Sequence, residues 1–551
     1  MKTAIFTGNF QKTMLIQSSP YKDTGYFSKL ICDYLAEEAS LLPFYHRHPN
    51  LKNFKLQIDE KQKTFGLSQR RLLTKQLMLQ YGDNSISQAT LSNLDLLKEA
   101  TTFTVTTGHQ LNLFTGPLYF LYKIFAAINL CEQLKQEYPN NHFVPIYWMA
   151  TEDHDFEEIN YFNFTKPETP NSFKKIKWDR ESSGAVGELS TEGLEELGKQ
   201  LKTQLGEGEN AKKLYTYFLD AYTNNSNLAD ATRNLANILF FNSGLVIVDG
   251  NDAELKKCFI TFAEKELTEN LSYKKVSETT ENLTNLGYPE QVHPREINLF
   301  YLQENSRERI IEKEGKFYIN QTEISFTKDE ILEELNKNPQ RFSPNALLRP
   351  IYQEAILPNL CYIGGGGELA YWFQLKDYFD QVSVPFPILL LRNSALLISK
   401  SVLEKLKKMD VSVNDLFLPQ HILVAQHLQK ISDIEIDFSQ QKEFLQQQFK
   451  DLFALAEKTD KSFMGAVAAQ EKKQLNGLSN LEKRLRKAQK RKFYTELERL
   501  KDLQNTLFPN QSLQERQINF STFYLETGDE ILDIIKENLN PLDPTFSVIA
   551  V

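Results

Sequence analysis

The chain has 551 residues, too many for one hydrophobic core, so about two or three domains are expected. Its 41% hydrophobic and 25% charged residues are ordinary for a globular protein, and no apolar run approaches the roughly 20 residues that span a bilayer. The net charge of −9 argues against a dedicated nucleic-acid binder, and four scattered cysteines with no CxxC pair argue against a zinc ribbon or a disulfide framework.

The N-terminus, Met1-Lys-Thr-Ala-Ile-Phe-Thr-Gly8, is basic and briefly apolar but lacks the long apolar core of a signal peptide, so the expected location is the cytoplasm. Four segments, 103–107, 143–149, 245–249 and 387–391, read as buried parallel strands. Each runs directly into polar or glycine-bearing sequence, and helical patterns such as 118–134 and 228–240 lie between them. That alternation predicts a doubly wound α/β core, in which the loops at the carboxyl ends of the strands line the ligand crevice. Two insertions are expected. One covers 171–227; the other covers 302–340, with a hairpin of 309–314 and 316–319 and a polar helix over 328–336. After about Ser399 the pattern becomes helical. Leu445, Phe449, Leu452, Ala456, Phe463 and Val467 form one stripe, Asn476-Gly477 reads as its break, and Ser479-Asn-Leu-Glu482 has the form of a capping box. With a skip near Lys492, this predicts an antiparallel helical hairpin with arms of about 30 residues, or about 45 Å. The apolar end, 546–551, reads as a return to the core. The predicted layout is a core of 1–170, 228–301 and 341–400, inserted modules at 171–227 and 302–340, a helical domain at 401–510, and a C-terminal segment at 511–551.

Chemistry concentrates in the loops that follow strands. Gly108, His109 and Gln110, with Asn112 and Thr115, follow the first strand and precede a helix, where backbone N–H groups attract an anion and an imidazole could donate to phosphate. Glu152, Asp153, His154 and Asp155 place carboxylates beside an imidazole, suiting a substrate amine or a general base. No cysteine or second histidine stands at zinc spacing, so no metal ligands are assigned. Gly364, Gly365, Gly366 and Gly367 let backbone approach a ligand closely and permit positive φ, and Glu368 opens the helix that follows. His293 and Arg295 offer a carboxylate or phosphate site; Arg349 and Arg392, each beside an element boundary, are similar candidates. Cys361 reads as a small core residue, and the basic run 483–492 as a solvated helix face.

Thr107-Gly-His-Gln110 with Thr115-Gly-Pro-Leu-Tyr119, Glu152-Asp-His-Asp-Phe156, His293-Pro-Arg295 with Asn298-Leu-Phe-Tyr301, Leu348-Arg-Pro350 with Tyr362-Ile-Gly364 and Gly367-Glu368, and the closing Pro509-Asn-Gln-Ser-Leu-Gln-Glu-Arg516 together resemble the cysteine ligase family of bacillithiol biosynthesis, BshC. The resemblance runs from about residue 1 to the end. It implies a Rossmann-like core with two connecting modules and a C-terminal coiled coil that mediates homodimerisation. It also implies the last step of bacillithiol assembly, joining L-cysteine to the amine of glucosaminyl malate, with ATP and Mg²⁺ as the implied activating pair and no nucleic-acid or membrane partner. In that scheme His109 and Gln110 stabilise phosphate, Asp153, His154 and Asp155 orient an amine or take its proton, and Asn112, Thr115, His293, Arg295, Glu368 and Arg392 bind substrate. Gly108 and Gly364–Gly367 contact the nucleotide or sugar. On this scheme His109→Ala is expected to fold normally and lose ligation. The core also resembles class I nucleotidyl-transfer ligases. Where their first signature reads His-Ile-Gly-His, this chain has Gly108-His109-Gln110, and Ile398-Ser-Lys-Ser401 echoes part of their Lys-Met-Ser-Lys-Ser. The rival reading is a dimeric, non-catalytic nucleotide-binding accessory protein of the same pathway. The acidic charge disfavours a third, a tRNA-linked synthetase relative.

Overall fold

A computed structural model describes residues 15–82, 86–166, 169–434 and 437–551, with the side chains of 169–171 left aside; the N-terminal reading of 1–8 lies outside these residues. The chain divides into two compact units, one reaching Ser399 and resuming at Ser512–Val551, the other Lys400–Gln511.

The first unit is built on a five-stranded parallel sheet. In chain order the strands are β1 (Thr102–His109), β2 (His142–Met149), β3 (Val246–Asp249), β4 (Asn359–Gly364) and β5 (Ile388–Leu391). In space they run β5-β4-β1-β2-β3, the Rossmann order, which reverses direction between β1 and β4. Four of the five match the strands expected from sequence. The central β4 is the addition; its apolar residues Leu360–Ile363 are short and are read from sequence only as the lead-in to the glycine run. Its alternate polar edge is satisfied internally. Asn359 donates to Glu354, which pairs with Lys61 at 2.8 Å, and Asn359 accepts from Thr106 at 2.8 Å. Helix Tyr119–Glu137 is apolar nearly all round and is buried over most of its length, as a helix packed between layers must be.

In chain order, two antiparallel elements lie between strands of the parallel sheet. The first begins earlier than expected, with the antiparallel pair Tyr161–Lys166 and Thr169–Lys177, and continues into helices Leu194–Leu205 and Glu209–Tyr222. The second is a five-stranded antiparallel sheet in which Leu299–Gln303, Ser306–Lys313 and Lys316–Ile319 pair in sequence, with Phe342–Pro344 on the far side of Leu299–Gln303. The C-terminal strand Thr545–Ala550 does return to this unit, between Leu15–Pro20 and Ala395–Ile398.

The second unit corrects the hairpin's turn. Helix Ser439–Ala456 reverses at 457–460 into the 32-residue helix Lys461–Lys492, which passes straight through Asn476-Gly477. The working cap is Asp460, which accepts from the Ser462 and Phe463 N–H groups; Ser479 is mid-helix. A single Gly in an exposed helix costs only about 1 kcal/mol, too little to end a helix held by its partner. The skip near Lys492 is real, because the helix breaks at Phe493 and resumes as Tyr494–Leu507. Phe449, Ala456 and Val467 seal the hairpin, and Val424, Leu428 and Leu497 seal a second contact with helix Gln420–Ile431. No helix among the described residues is long and apolar enough to cross a membrane.

Candidate functional site

At the end of β1 the structure separates packing from chemistry. Gly108 packs under the Tyr362 hydroxyl, and its carbonyl accepts from Lys123 Nζ at 2.7 Å. The His109 ring is buried against Tyr119 and Phe120, with centroids 5.3 and 4.9 Å away. Burial, reinforced by the charge of Lys123, holds the imidazole well below its usual range, despite a hydrogen bond to the Thr115 backbone. Nε2 has no partner. The ring is therefore neutral, with its proton committed to the Thr115 side and Nε2 left as an acceptor. The imidazole donor to phosphate expected here is not available in this arrangement. Nor is His109→Ala a benign substitution, because removing a packed ring opens a cavity that costs on the order of 2–5 kcal/mol.

Two residues read as substrate ligands are engaged in ion pairs, one partly buried and one fully buried. Glu368 pairs with Lys123 at 2.5 Å, and accepts from the Tyr362 hydroxyl at 2.8 Å and the Gly365 N–H at 3.1 Å. Burial raises its pKa, but the Lys123 charge together with the hydrogen bonds from Lys123, Tyr362 and the Gly365 N–H outweighs this and holds the carboxyl below its ordinary value. Arg392 pairs with Glu515 at 2.7 Å and donates to the Asn393 carbonyl and Ser394 Oγ. Asn112 donates to the Glu158 carbonyl, and Thr115 Oγ1 accepts from Asn519, so both serve the loop itself. The glycine run also corrects an expectation, because none of Gly364–Gly367 has positive φ. Gly364 is required by space: a Cβ there would sit 3.0 Å from Tyr362 and 3.1 Å from Glu368. Gly367 is exposed and open, and a Cβ there would meet only Gln291 at 3.9 Å. Cys361 is core, its thiol pKa pushed well up by burial.

The other candidates converge. Asp153, His154, His293 and Arg295 line one cavity of about 480 Å³ at the carboxyl end of β2, facing the second inserted sheet. Gln110 joins them through Asp153, donating to its Oδ2 at 2.9 Å, while Asp155 is exposed outside the cavity. Burial raises the Asp153 pKa, but hydrogen bonds from the His154 backbone N–H and from Gln110, with the charge of Arg307, outweigh it, so the carboxyl is held well below its usual range. Such a group binds an ammonium better than it accepts a proton. Glu152 also lines the cavity, paired with the buried Lys256.

The same cavity contains Arg307, Arg309 and Arg349, so four guanidiniums face two carboxylates. Arg349 is fixed, stacked over Trp148 and Tyr362 and donating to Gln353 at 2.9 Å. Arg307 is fixed through Ser343, Pro344 and His154. Arg295 and Arg309 have no side-chain partner among the described residues, leaving two uncommitted cations at the wall. Arg307 and Arg309 were legible in principle: spaced by two on a strand, they share one face.

Comparison with known proteins agrees with this architecture. Residues 14–393 match the family model described as the bacillithiol biosynthesis BshC N-terminal Rossmann-like domain, and residues 395–551 match its C-terminal coiled-coil domain. The chain is 55% identical over 533 residues to a relative from Christiangramia forsetii, covering 96% of this chain and 98% of that one. It is 54% identical over 531 residues to one from Flavobacterium johnsoniae, covering 96% and 99%, and 28% identical over 506 residues to one from Bacillus cereus, covering 89% and 93%. All three carry the name "Putative cysteine ligase BshC". A solved Campylobacter jejuni structure, titled a putative arginyl-tRNA synthetase, aligns at 13% identity over 78% of this chain and 98% of that one; its TM-score of 0.19 is too low to bear on fold or function. The chain belongs to the BshC family of bacillithiol biosynthesis.

Proposed function

We propose that this chain joins L-cysteine to the amine of glucosaminyl malate, with ATP-dependent activation of the cysteine carboxyl. The observation that carries the reading is the mixed charge of the cavity beside the Rossmann crevice. Arg295 and Arg309, without side-chain partners among the described residues, suit the malate carboxylates. Asp153, held as an anion and oriented by Gln110, suits a substrate ammonium. ATP with Mg²⁺ would supply the activation; the exposed backbone at Gly367, just past the end of β4 where the strand order reverses, is open enough to meet its phosphates. The chain's own part is positioning and charge stabilisation, the dominant contributions in such reactions.

The test combines purified protein, ATP, Mg²⁺, cysteine and glucosaminyl malate, with bacillithiol read by mass spectrometry and nucleotides by chromatography. Bacillithiol with matched AMP assigns an adenylate, and with matched ADP an acyl phosphate. Nucleotide binding without product overturns the ligase reading in favour of the accessory protein. Arg295→Ala is expected to raise KM for glucosaminyl malate about tenfold or more, with unchanged stability, since its side chain is exposed and unpaired. Asp153→Asn is expected to lower kcat/KM about 100-fold. Wild-type kinetics in both would remove the cavity from the reaction.

The coiled coil supplies the second half of the reading, a homodimer. Phe444, Leu452, Leu455, Phe463 and Leu481 are exposed on the hairpin, and Phe444, Leu445, Leu478 and Leu481 line an apolar hollow of about 540 Å³. Phe444→Glu combined with Leu481→Glu is expected to convert a dimer to a folded monomer in light scattering. A double variant that stays dimeric would place the interface elsewhere.

A further inference from the structure

Arg307 lies on strand Ser306–Lys313, paired in register with Leu302 of the neighbouring strand. Each of its three guanidinium nitrogens donates a hydrogen bond. Nε donates to Ser343 Oγ at 3.2 Å, Nη2 to the Pro344 carbonyl at 3.2 Å, and Nη1 to Nδ1 of His154 at 2.8 Å. The Phe300 ring lies 4.0 Å beneath the guanidinium and 5.6 Å from the His154 ring, so one aromatic face supports both.

A guanidinium has donors only and keeps its proton at any accessible pH. The contact at Nδ1 therefore has one sense: Nδ1 accepts. A neutral imidazole carries a single ring proton, which then resides on Nε2. Asp153 would favour the other tautomer, because its Oδ1 lies 3.6 Å from Nδ1. That oxygen already accepts the His154 backbone N–H at 2.7 Å, and Oδ2 accepts from Gln110. The closer guanidinium thus claims Nδ1. The His154 side chain is 51% exposed, lines the cavity, and has no partner at Nε2 among the described residues.

We infer that Arg307 is a positioning residue that locks His154 in its Nε2–H tautomer, so that His154 serves the reaction as a hydrogen-bond donor to a carboxylate or acyl oxygen and not as its general base. The only lone pair of the neutral ring is occupied by Arg307, so no nitrogen remains to take the proton of the attacking amine. That proton leaves to another acceptor or to water. The donor role rests on the cavity being the ligation site; the tautomer does not.

The test has two arms on the full-length protein. In the first, sedimented protein labelled with ¹⁵N in its histidine rings is read by magic-angle-spinning spectra, with His154 assigned by its loss in His154→Gln. The expected result is an unprotonated Nδ1 and a protonated Nε2, with an Nδ1–H population appearing in Arg307→Met. A protonated Nδ1 in the wild type overturns the inference. In the second arm, ligation is compared in His154→Gln, whose amide nitrogen lies near the Nε2 position, and His154→Asn, whose amide lies near Nδ1. His154→Gln is expected to stay within about tenfold of wild type, and His154→Asn to fall about 100-fold, the scale of one lost transition-state donor. A loss in KM places the recognised oxygen on a ground-state carboxylate; a loss in kcat places it on the oxyanion of amide formation. Equal loss in both variants overturns the donor role. Should the wild type make no bacillithiol, the ligase reading falls while the spectra still decide the tautomer.

Discussion

Arg392→Met is expected to destabilise the Rossmann-like unit by about 3–5 kcal/mol, the range for stranding one partner of a buried ion pair. Glu515 is 1% exposed and is held from three directions. It accepts from Arg392 at 2.7 Å, from Ser394 Oγ at 3.0 Å and from the Ala395 N–H at 3.0 Å. Its neighbour Gln514 completes the contact, accepting from the Leu397 N–H at 3.0 Å and donating to the Leu397 carbonyl at 2.9 Å. Two consecutive side chains thus imitate a strand along the edge of Ala395–Ile398 and tie the C-terminal segment to the unit. Methionine fills the volume of the arginine stem but leaves the Glu515 carboxylate buried without its cation. The double variant Arg392→Met with Glu515→Gln removes both charges while keeping an amide oxygen for the Ala395 N–H, and is expected to recover part of the loss, because the penalty of an unpaired buried charge is gone. All three tryptophans, Trp148, Trp178 and Trp372, lie in this unit, so fluorescence during urea unfolding reports on it alone. A loss under 1 kcal/mol for Arg392→Met would mean that water or a rearranged neighbour replaces the guanidinium.

That ion pair also shows where sequence reading reaches its limit. Strands β1, β2, β3 and β5 were legible because buried parallel strands are continuous apolar runs ending in polar turns. The family resemblance rests on residues such as Glu368 and Glu515, and Arg392 stands out only by its place beside an element boundary; none of these identities says what the residue touches. Charged residues beside a strand end look alike whether they meet a substrate or one another. Glu368 and Lys123 are 245 positions apart and Arg392 and Glu515 are 123 apart, so only the folded chain shows that they are spent on each other. The cavity is the converse case. Asp153, His154, His293 and Arg295 stood out by local composition, while Arg307 and Arg309 sat in an ordinary-looking amphipathic strand. The hairpin turn lies at 457–460 and not at Asn476-Gly477, because that pair is a strong breaker only locally, whereas packing of Ser439–Ala456 along the longer helix is a tertiary effect.

The second large effect is expected at Asn519, which is fully buried and which nothing local marks as special. The loop after His109 is strained: Phe114 and Thr115 have φ of 47° and 70°, and Gly116 follows at 62°. Only glycine fits at 116, where a Cβ would lie 2.5 Å from that of Asn112. Left-handed backbone costs about 1–2 kcal/mol at each non-glycine position, and it persists only where surrounding contacts overdetermine it. Asn519 supplies those contacts. Its amide donates to the Phe114 carbonyl at 2.7 Å and the Gly116 carbonyl at 2.6 Å, with Thr115 Oγ1 at 3.3 Å, while the Tyr222 hydroxyl accepts from the Phe114 N–H. Asn519→Ala strands two buried carbonyls, at about 1–3 kcal/mol each, and is expected to cost about 3 kcal/mol or more while loosening the segment that carries Gln110. Asn519→Asp, nearly isosteric, should be worse at neutral pH, because it turns a carboxylate toward two carbonyl oxygens. Its folded pKa is raised above the unfolded value of about 3.9, so its penalty applies fully above the folded pKa and shrinks as pH falls through it, when the protonated acid can donate one bond. Urea unfolding at two pH values, with hydrogen exchange across residues 110–118, reads both effects. An Asn519→Asp variant whose deficit does not narrow toward acid pH, or an Asn519→Ala variant as stable as wild type, would show that Tyr222 and the packing of Phe114 hold the loop unaided.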